Sequence, residues 1–369
     1  MREIKGRPTH PQNMDTRDLS AHDPYVPGRG LEEVARELGV PAADLTKLSS
    51  NENPYGPSPK AIEAIEAGAT AVHRYPKASH TDLTAALAEE WDLAPAQVWV
   101  SPGADGALDY LARSMLDPGD RTLVPDPGFA YYRMSARYHH GAVGTYPVRK
   151  REDFAQSADR VLDAYDGERM VYVTSPHNPT GSEMTLDGMR ELAAGVDDTT
   201  LVVVDEAYGE YAEQESARAL ISEFDNVAVT RTFSKAYGLA GLRIGYSLVP
   251  EAWADAYARV NTPFAANDVA CRAARAALND DDHIERSIDG ARWAREHMRA
   301  ELDARTWESG GNFVLCEVDD ASVTAEAAKR EGVIVRDCGS FGLPDCVRVS
   351  CGTREEAREA VRVLNSVVD

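Results

Sequence analysis

The sequence predicts an α/β protein, with a mainly parallel central sheet between helices and a smaller α+β unit at its C-terminal end. Three observations carry this. Short apolar runs alternate with helical patterns through the middle of the chain, as expected for parallel strands buried on both faces. That texture stops near residue 262, where a long helical region leads into short strands and a closing helix. Finally, 369 residues at 43% hydrophobic supply a sizeable core, and exclude a disordered protein although 27% are charged.

The elements follow in order. Residues 1–30 are polar and rich in Pro and Gly, which predicts an extended arm. Leu31, Val34, Ala35 and Leu38 recur at helical spacing before Gly39, which predicts a short helix. Helices are expected around 60–70 and 81–91. Strands are expected at Val98 to Val100, Arg121 to Val124, Met170 to Thr174, Leu201 to Val204 and Val227 to Thr230. Beyond these come a helical region over 267–304 and strands near 312–318, 333–336 and 346–350. In the last helix Thr353 and Glu356 form a T-x-x-E capping box before the stripe Ala357, Val361, Leu364, Val368. The expected organisation is an arm and helix (1–46) packing with the small domain, a large domain (47–262) and the small domain (263–369).

Charge narrows the function. With 61 acidic against 39 basic residues the formal net charge is −22. Phosphate backbones and anionic membrane surfaces both require clustered cations, so neither nucleic acid nor membrane is an expected partner. No run approaches the length of a membrane span and no secretion signal is visible, so a cytoplasmic protein is expected. Only 7 of the basic residues are lysine and 32 are arginine. Excess carboxylate with little lysine fits a protein adapted to molar salt, where counter-ions screen self-repulsion. Five cysteines without a CxxC pair read as reduced thiols, not as a disulfide framework or metal site.

Four segments carry chemistry. In TFSKAYGLAGLRIGY (232–246), Lys235 follows a strand beside hydroxyls, where an amine can bond covalently to a carbonyl cofactor. Thr232, Ser234 and Arg243 can then hold a phosphate. In LVVVDEAY (201–208), Asp205 ends a buried strand, with Tyr208 beyond it; such an aspartate can pair with a protonated ring nitrogen. In SPHNPTG (175–181), Asn178 can hydrogen-bond a ring hydroxyl, while His177 reads as a loop residue without a partner. In SPGADGALDYL (101–111), Gly103, Ala104 and Asp105 open a helix and offer N–H groups to an anion. Each segment alone also fits ordinary structure: a surface lysine, an N-cap aspartate, a Pro–Gly turn.

Together the four resemble the fold-type I pyridoxal-phosphate (PLP) enzymes, aminotransferase class I/II, over nearly the whole chain. The resemblance implies that Lys235 bears the cofactor and that Asp205 keeps its pyridine nitrogen protonated. It further implies that Asn178 and Tyr208 bond the ring oxygen and that an aromatic of DPGFAYY stacks on the ring, Phe129 by the matching position, with Tyr131 and Tyr132 the alternatives. SNENPYGPSP (50–59), VIVRDCGSFGLPDCVRVSCGTREE (333–356) and the arm segment DPYVPGR are similar to the histidinol-phosphate aminotransferase family. In that family the tyrosine matching Tyr55 reaches the cofactor phosphate of the neighbouring subunit, which implies a homodimer. Tyr25, Asn53, Arg336 and Arg348 fall at its substrate positions. Two guanidinium forks suit an amino-phosphate and a 2-oxo acid alike. The sequence departs from the family at Gly106, where an acid is usual. An aromatic-amino-acid aminotransferase, a threonine-phosphate decarboxylase and a non-enzymatic PLP-sensing module are the competing readings.

Overall fold

The computed structural model describes residues 19, 20, 22, 24–77 and 80–368. Most of the expected N-terminal arm lies outside the described residues. Twelve strands occur among those described: β1 (Thr46–Lys47), β2 (Val98–Ser101), β3 (Arg121–Asp126), β4 (Ala142–Pro147), β5 (Met170–Thr174), β6 (Leu201–Asp205), β7 (Val227–Thr232), β8 (Gly245–Leu248), β9 (Phe313–Glu317), β10 (Val333–Ile334), β11 (Arg336–Asp337) and β12 (Cys346–Ser350). The helices are α1 (Leu31–Leu38), α2 (Pro59–Gly68), α3 (Thr81–Trp91), α4 (Gly103–Met115), α5 (Ala130–Tyr138), α6 (Ala158–Ala164), α7 (Leu186–Gly195), α8 (Tyr257–Val260), α9 (Asp268–Ala277), α10 (Asp281–Glu301), α11 (Ala321–Arg330) and α12 (Arg354–Val367).

A seven-stranded sheet in the order β2-β8-β7-β6-β5-β3-β4 forms the larger body. Neighbours from β7 to β4 pair in parallel, and β8 runs antiparallel to both β2 and β7. β5, β6 and β7 are buried along their whole length, which explains their unbroken apolar runs. The parallel strands end on one edge of the sheet, where ligands of open α/β sheets collect. The strands at 142–147 and 245–248 were not expected from the sequence. β4 is an edge strand of mixed exposure with a glycine inside it, and β8 lies within the segment that carries Lys235 and Arg243.

The smaller body is built on an antiparallel sheet, β11-β12-β9, covered by α10, α11 and α12. The capping box is present: Thr353 Oγ1 accepts from Glu356 N, and Glu356 Oε2 accepts from Thr353 N. The expected helical region 267–304 is two helices, interrupted at 278–280. α9 buries Ala270, Ala273, Ala274 and Ala277 in the larger core. By packing, the larger body therefore extends one helix beyond the boundary expected at 262. α1 packs Val34 and Ala35 on Ile334, and β1 pairs in parallel with β10, so the N-terminal segment joins the smaller body. Among the described residues no helix is long and apolar enough to cross a membrane.

The described lysines sit mostly at joints. Lys150 bridges to Glu317 and Asp345 of the smaller body, and buried Lys329 holds Glu37 of α1 and Glu326. Only Lys60 and Lys77 of the described lysines are exposed. The remaining acidic surplus is left on the surface, as a salt-adapted protein requires.

Candidate active site

A cavity of about 270 Å³ opens between the two bodies, at the carboxyl edge of the larger sheet. It gathers Tyr25, Ala104, Asp105, Phe129, Asn178, Asp205, Tyr208, Thr232, Ser234, Lys235, Arg243, Arg336 and Arg348. The larger body supplies the floor. Asp205 ends β6 and is buried. Its Oδ2 accepts from Tyr132 Oη at 2.6 Å, and its Oδ1 from Ala207 N at 3.0 Å. Burial pushes its carboxyl up to about 6, against the lowering effect of those two bonds. A carboxylate this short of counter-charge is suited to a cationic ring nitrogen. The bond from Tyr132 to Asp205 was not anticipated from sequence, because it reaches a strand 73 residues away.

Beside Asp205, the turn between β7 and β8 carries Lys235 and returns Arg243 to Ser234. The antiparallel course of β8 makes that return short. Lys235 Nζ donates to Ser50 O at 3.3 Å and lies 5.6 Å from the Tyr208 ring centre. Arg243 Nη1 reaches Ser234 Oγ at 3.4 Å, and its Nη2 lies 3.3 Å from Asp105 Oδ2. α4 points its N-terminus at the same place. Gly103 has φ +78°, and a Cβ there would lie 2.6 Å from Arg243 Nη2, so only glycine lets the helix start this close to the guanidinium. Free N–H groups, two hydroxyls and a guanidinium are the donor set a phosphate monoester requires. A Cβ at Gly106 would lie 2.6 Å from Pro102 Cδ, so the residue that departs from the family pattern makes room for the proline before the helix.

Phe129 caps α5 and lines the cavity, edge-on to Tyr132 and to Tyr25. Tyr131 does not line it. The smaller body supplies the wall. Arg336 and Arg348 are direct cross-strand partners on β11 and β12. Like charges placed opposite each other cost stability, and here both face the cavity. Arg348 is buried, and burial lowers its affinity for its proton. It donates to Asn178 Oδ1 and, at 2.9 Å, to Ser49 O. Arg336 donates to Ser340 Oγ and to Val26 O of the arm, each at 3.0 Å.

Two expectations need correction. Asn53, expected at the substrate, does not line the cavity. Its amide donates to Ala236 O at 2.7 Å and Ser287 Oγ at 2.9 Å, and its Oδ1 accepts from Tyr55 N, so it braces the 51–56 turn against α10. Its neighbour Asn51 faces the site instead. Tyr55 lies outside the cavity of its own chain, with Arg286 of α10 4.6 Å from its ring centre. His177, read as partnerless, is buried between Thr180 Oγ1 (2.8 Å) and Pro127 O (3.1 Å). Burial depresses it to about 4, so it stays neutral and serves the turn.

The model of the family described as aminotransferase class I and II matches residues 43–364. The chain is 68% identical to the histidinol-phosphate aminotransferase of Haloferax volcanii, over 96% of this chain and 98% of that one. It is 65% identical to the enzyme of the same name from Haloquadratum walsbyi, over 96% and 95%. Its structure resembles the histidinol-phosphate aminotransferase from Sinorhizobium meliloti, solved in complex with pyridoxal-5'-phosphate. There the TM-score is 0.85 at 29% identity, over 96% of this chain and 97% of that one.

Proposed function

This chain belongs to the aminotransferase class I and II family, and from that premise we propose that it transfers the amino group of L-histidinol phosphate to 2-oxoglutarate, giving imidazole-acetol phosphate and glutamate. The observation that carries the reading is the convergence of Lys235, Asp205 and Arg243 on one cavity faced by two arginines. The cofactor is pyridoxal 5'-phosphate, which supplies an electron-poor ring to take up the electron pair left when the substrate Cα loses its proton.

The chain does the rest. Lys235 holds the cofactor covalently in the resting enzyme. With substrate bound, its free Nζ would be placed to take the proton from the substrate Cα. Asp205, with few compensating charges of its own, keeps the ring nitrogen protonated. The α4 N-terminus, Thr232, Ser234 and Arg243 grip the cofactor phosphate. Asn178 and Tyr208 would bond the ring oxygen, and Phe129 would offer an aromatic face to the ring. Arg348 and Arg336 bind the anionic groups of both substrates in turn, which lets one cavity serve both half-reactions. They also reverse, locally, the field of a −22 protein that would repel anions.

The active form is a cytoplasmic homodimer in which Tyr55 completes the phosphate site of the neighbouring subunit; its position outside its own cavity supports this. Two experiments test the reading. In a half-reaction, histidinol phosphate should bleach the visible cofactor band, and bleaching by phenylalanine or tyrosine alone would instead point to an aromatic aminotransferase. Mixing Tyr55→Phe with Lys235→Ala subunits should restore activity through heterodimers with one intact site; no recovery would argue against sharing.

A further inference from the structure

Three successive residues, Ser49, Ser50 and Asn51, touch three functional side chains. Ser49 O accepts from Arg348, Ser50 O accepts from Lys235, and Asn51 Nδ2 donates to Tyr208 Oη at 3.0 Å. The last contact carries the argument. Asn51 is buried and holds φ +54°, a strained conformation for a residue with a Cβ. Strand β12 holds it there. Ser350 Oγ accepts from Asn51 N at 2.8 Å and donates its single proton to Asn51 Oδ1 at 2.9 Å. Asn312 Nδ2 donates to Asn51 O at 3.1 Å. With its oxygen committed to Ser350, the amide turns its NH2 to Tyr208. A phenol that accepts one bond keeps its own proton for another partner, and Tyr208 lines the cavity in which such a partner would bind.

We propose that Asn51 is the positioning residue that makes Tyr208 a donor toward the cofactor, and that it ties this direction to strand β12 of the smaller body. Ser350 and Arg348 lie two residues apart on one face of β12. A shift of that strand therefore moves the substrate-binding guanidinium and the Asn51 anchor together. Donation by Tyr208 withdraws charge from the ring oxygen and lowers the affinity of the neighbouring Lys235 nitrogen for a proton. Asn51 thus sets the proton balance of the resting enzyme without touching substrate.

This role rests on the site reading above, and the test separates the two. The visible absorbance of the holoenzyme is titrated against pH for wild type, Asn51→Gly, Asn51→Asp, Tyr208→Phe and the Asn51→Asp/Tyr208→Phe double variant. Glycine tolerates the positive φ, so Asn51→Gly removes the amide without forcing the backbone. An aspartate would accept the Tyr208 proton and reverse the bond. The expected result is a midpoint raised about tenfold in proton affinity by Asn51→Asp, less by Asn51→Gly, and no further shift when Asn51→Asp is added to Tyr208→Phe. Ser350→Ala, a second route to the same bond, should shift the midpoint in the same direction by less. An Asn51→Asp shift that persists in the Tyr208→Phe background, or an unmoved midpoint in both Asn51 variants, would overturn the proposal. A wild-type protein with no visible band would overturn the site reading itself, and this role with it.

Discussion

The floor and the wall of the cavity are built differently. On the floor, three functional residues sit at or just past the ends of parallel strands: Asn178 after β5, Asp205 on β6 and Lys235 after β7. Each is placed by its own local segment. On the wall, Asn51 is held by Ser350 and Arg348 is tied to Ser49, through bonds that join residues 299 apart in sequence. The floor lies along one edge of the larger sheet. The wall sets two guanidinium groups, those of Arg336 and Arg348, against the cavity.

The largest expected effect breaks the floor. Lys235→Ala should lower turnover by on the order of 10⁴-fold, since the proton shuttle is lost with the amine. The chain should still fold, because among the described residues the Lys235 side chain makes one weak hydrogen bond, to Ser50 O. Wild-type-like turnover in that variant would remove the floor from the mechanism.

Next comes Asp205→Asn, which separates function from stability. Raising a carboxyl from 3.8 to about 6 means that the charged form is disfavoured in the folded cofactor-free protein. The penalty is absent below pH 4, grows as pH rises toward 6, and is constant above that. It amounts to at most about 3 kcal/mol. The cofactor-free Asp205→Asn variant should therefore gain stability over wild type at pH 8 and little at pH 4, while losing activity. Denaturant midpoints at the two pH values measure this, and an equal difference at both would sink the account.

The smallest effect sharpens the wall. Asn53→Ala should cost about 1 kcal/mol of stability by leaving the turn unbraced, with KM for histidinol phosphate unchanged. A raised KM would return Asn53 to the substrate.

This contrast also explains what was legible in the sequence. Strand-end residues of the floor could be read because a buried apolar run announces its own end, and chemistry gathers there. β5 and β12 were placed to the residue for the same reason. Asn51 and Asn53 could not be told apart. Both lie in one loop, two residues from each other, and which one faces the site depends on the left-handed turn at 51 and on Ser350 across the fold. Tyr132 was hidden likewise, because its place beside Asp205 is set across the fold, between Phe129 and Tyr172 of β5.

The placement of the lysines has a practical side. Reagents that acylate amines will find few handles on this protein. Among the described residues, Lys60 of α2 and Lys77 are exposed, Lys60 donating to Asn279 O and Lys77 pairing with Asp82, while Lys47, Lys150 and Lys329 are less exposed and also engaged by carboxylates. Tethering through amines should then orient the molecule on a support in a small number of ways. Mild labelling should spare the joint between the two bodies, and with the cofactor bound it should spare Lys235 too.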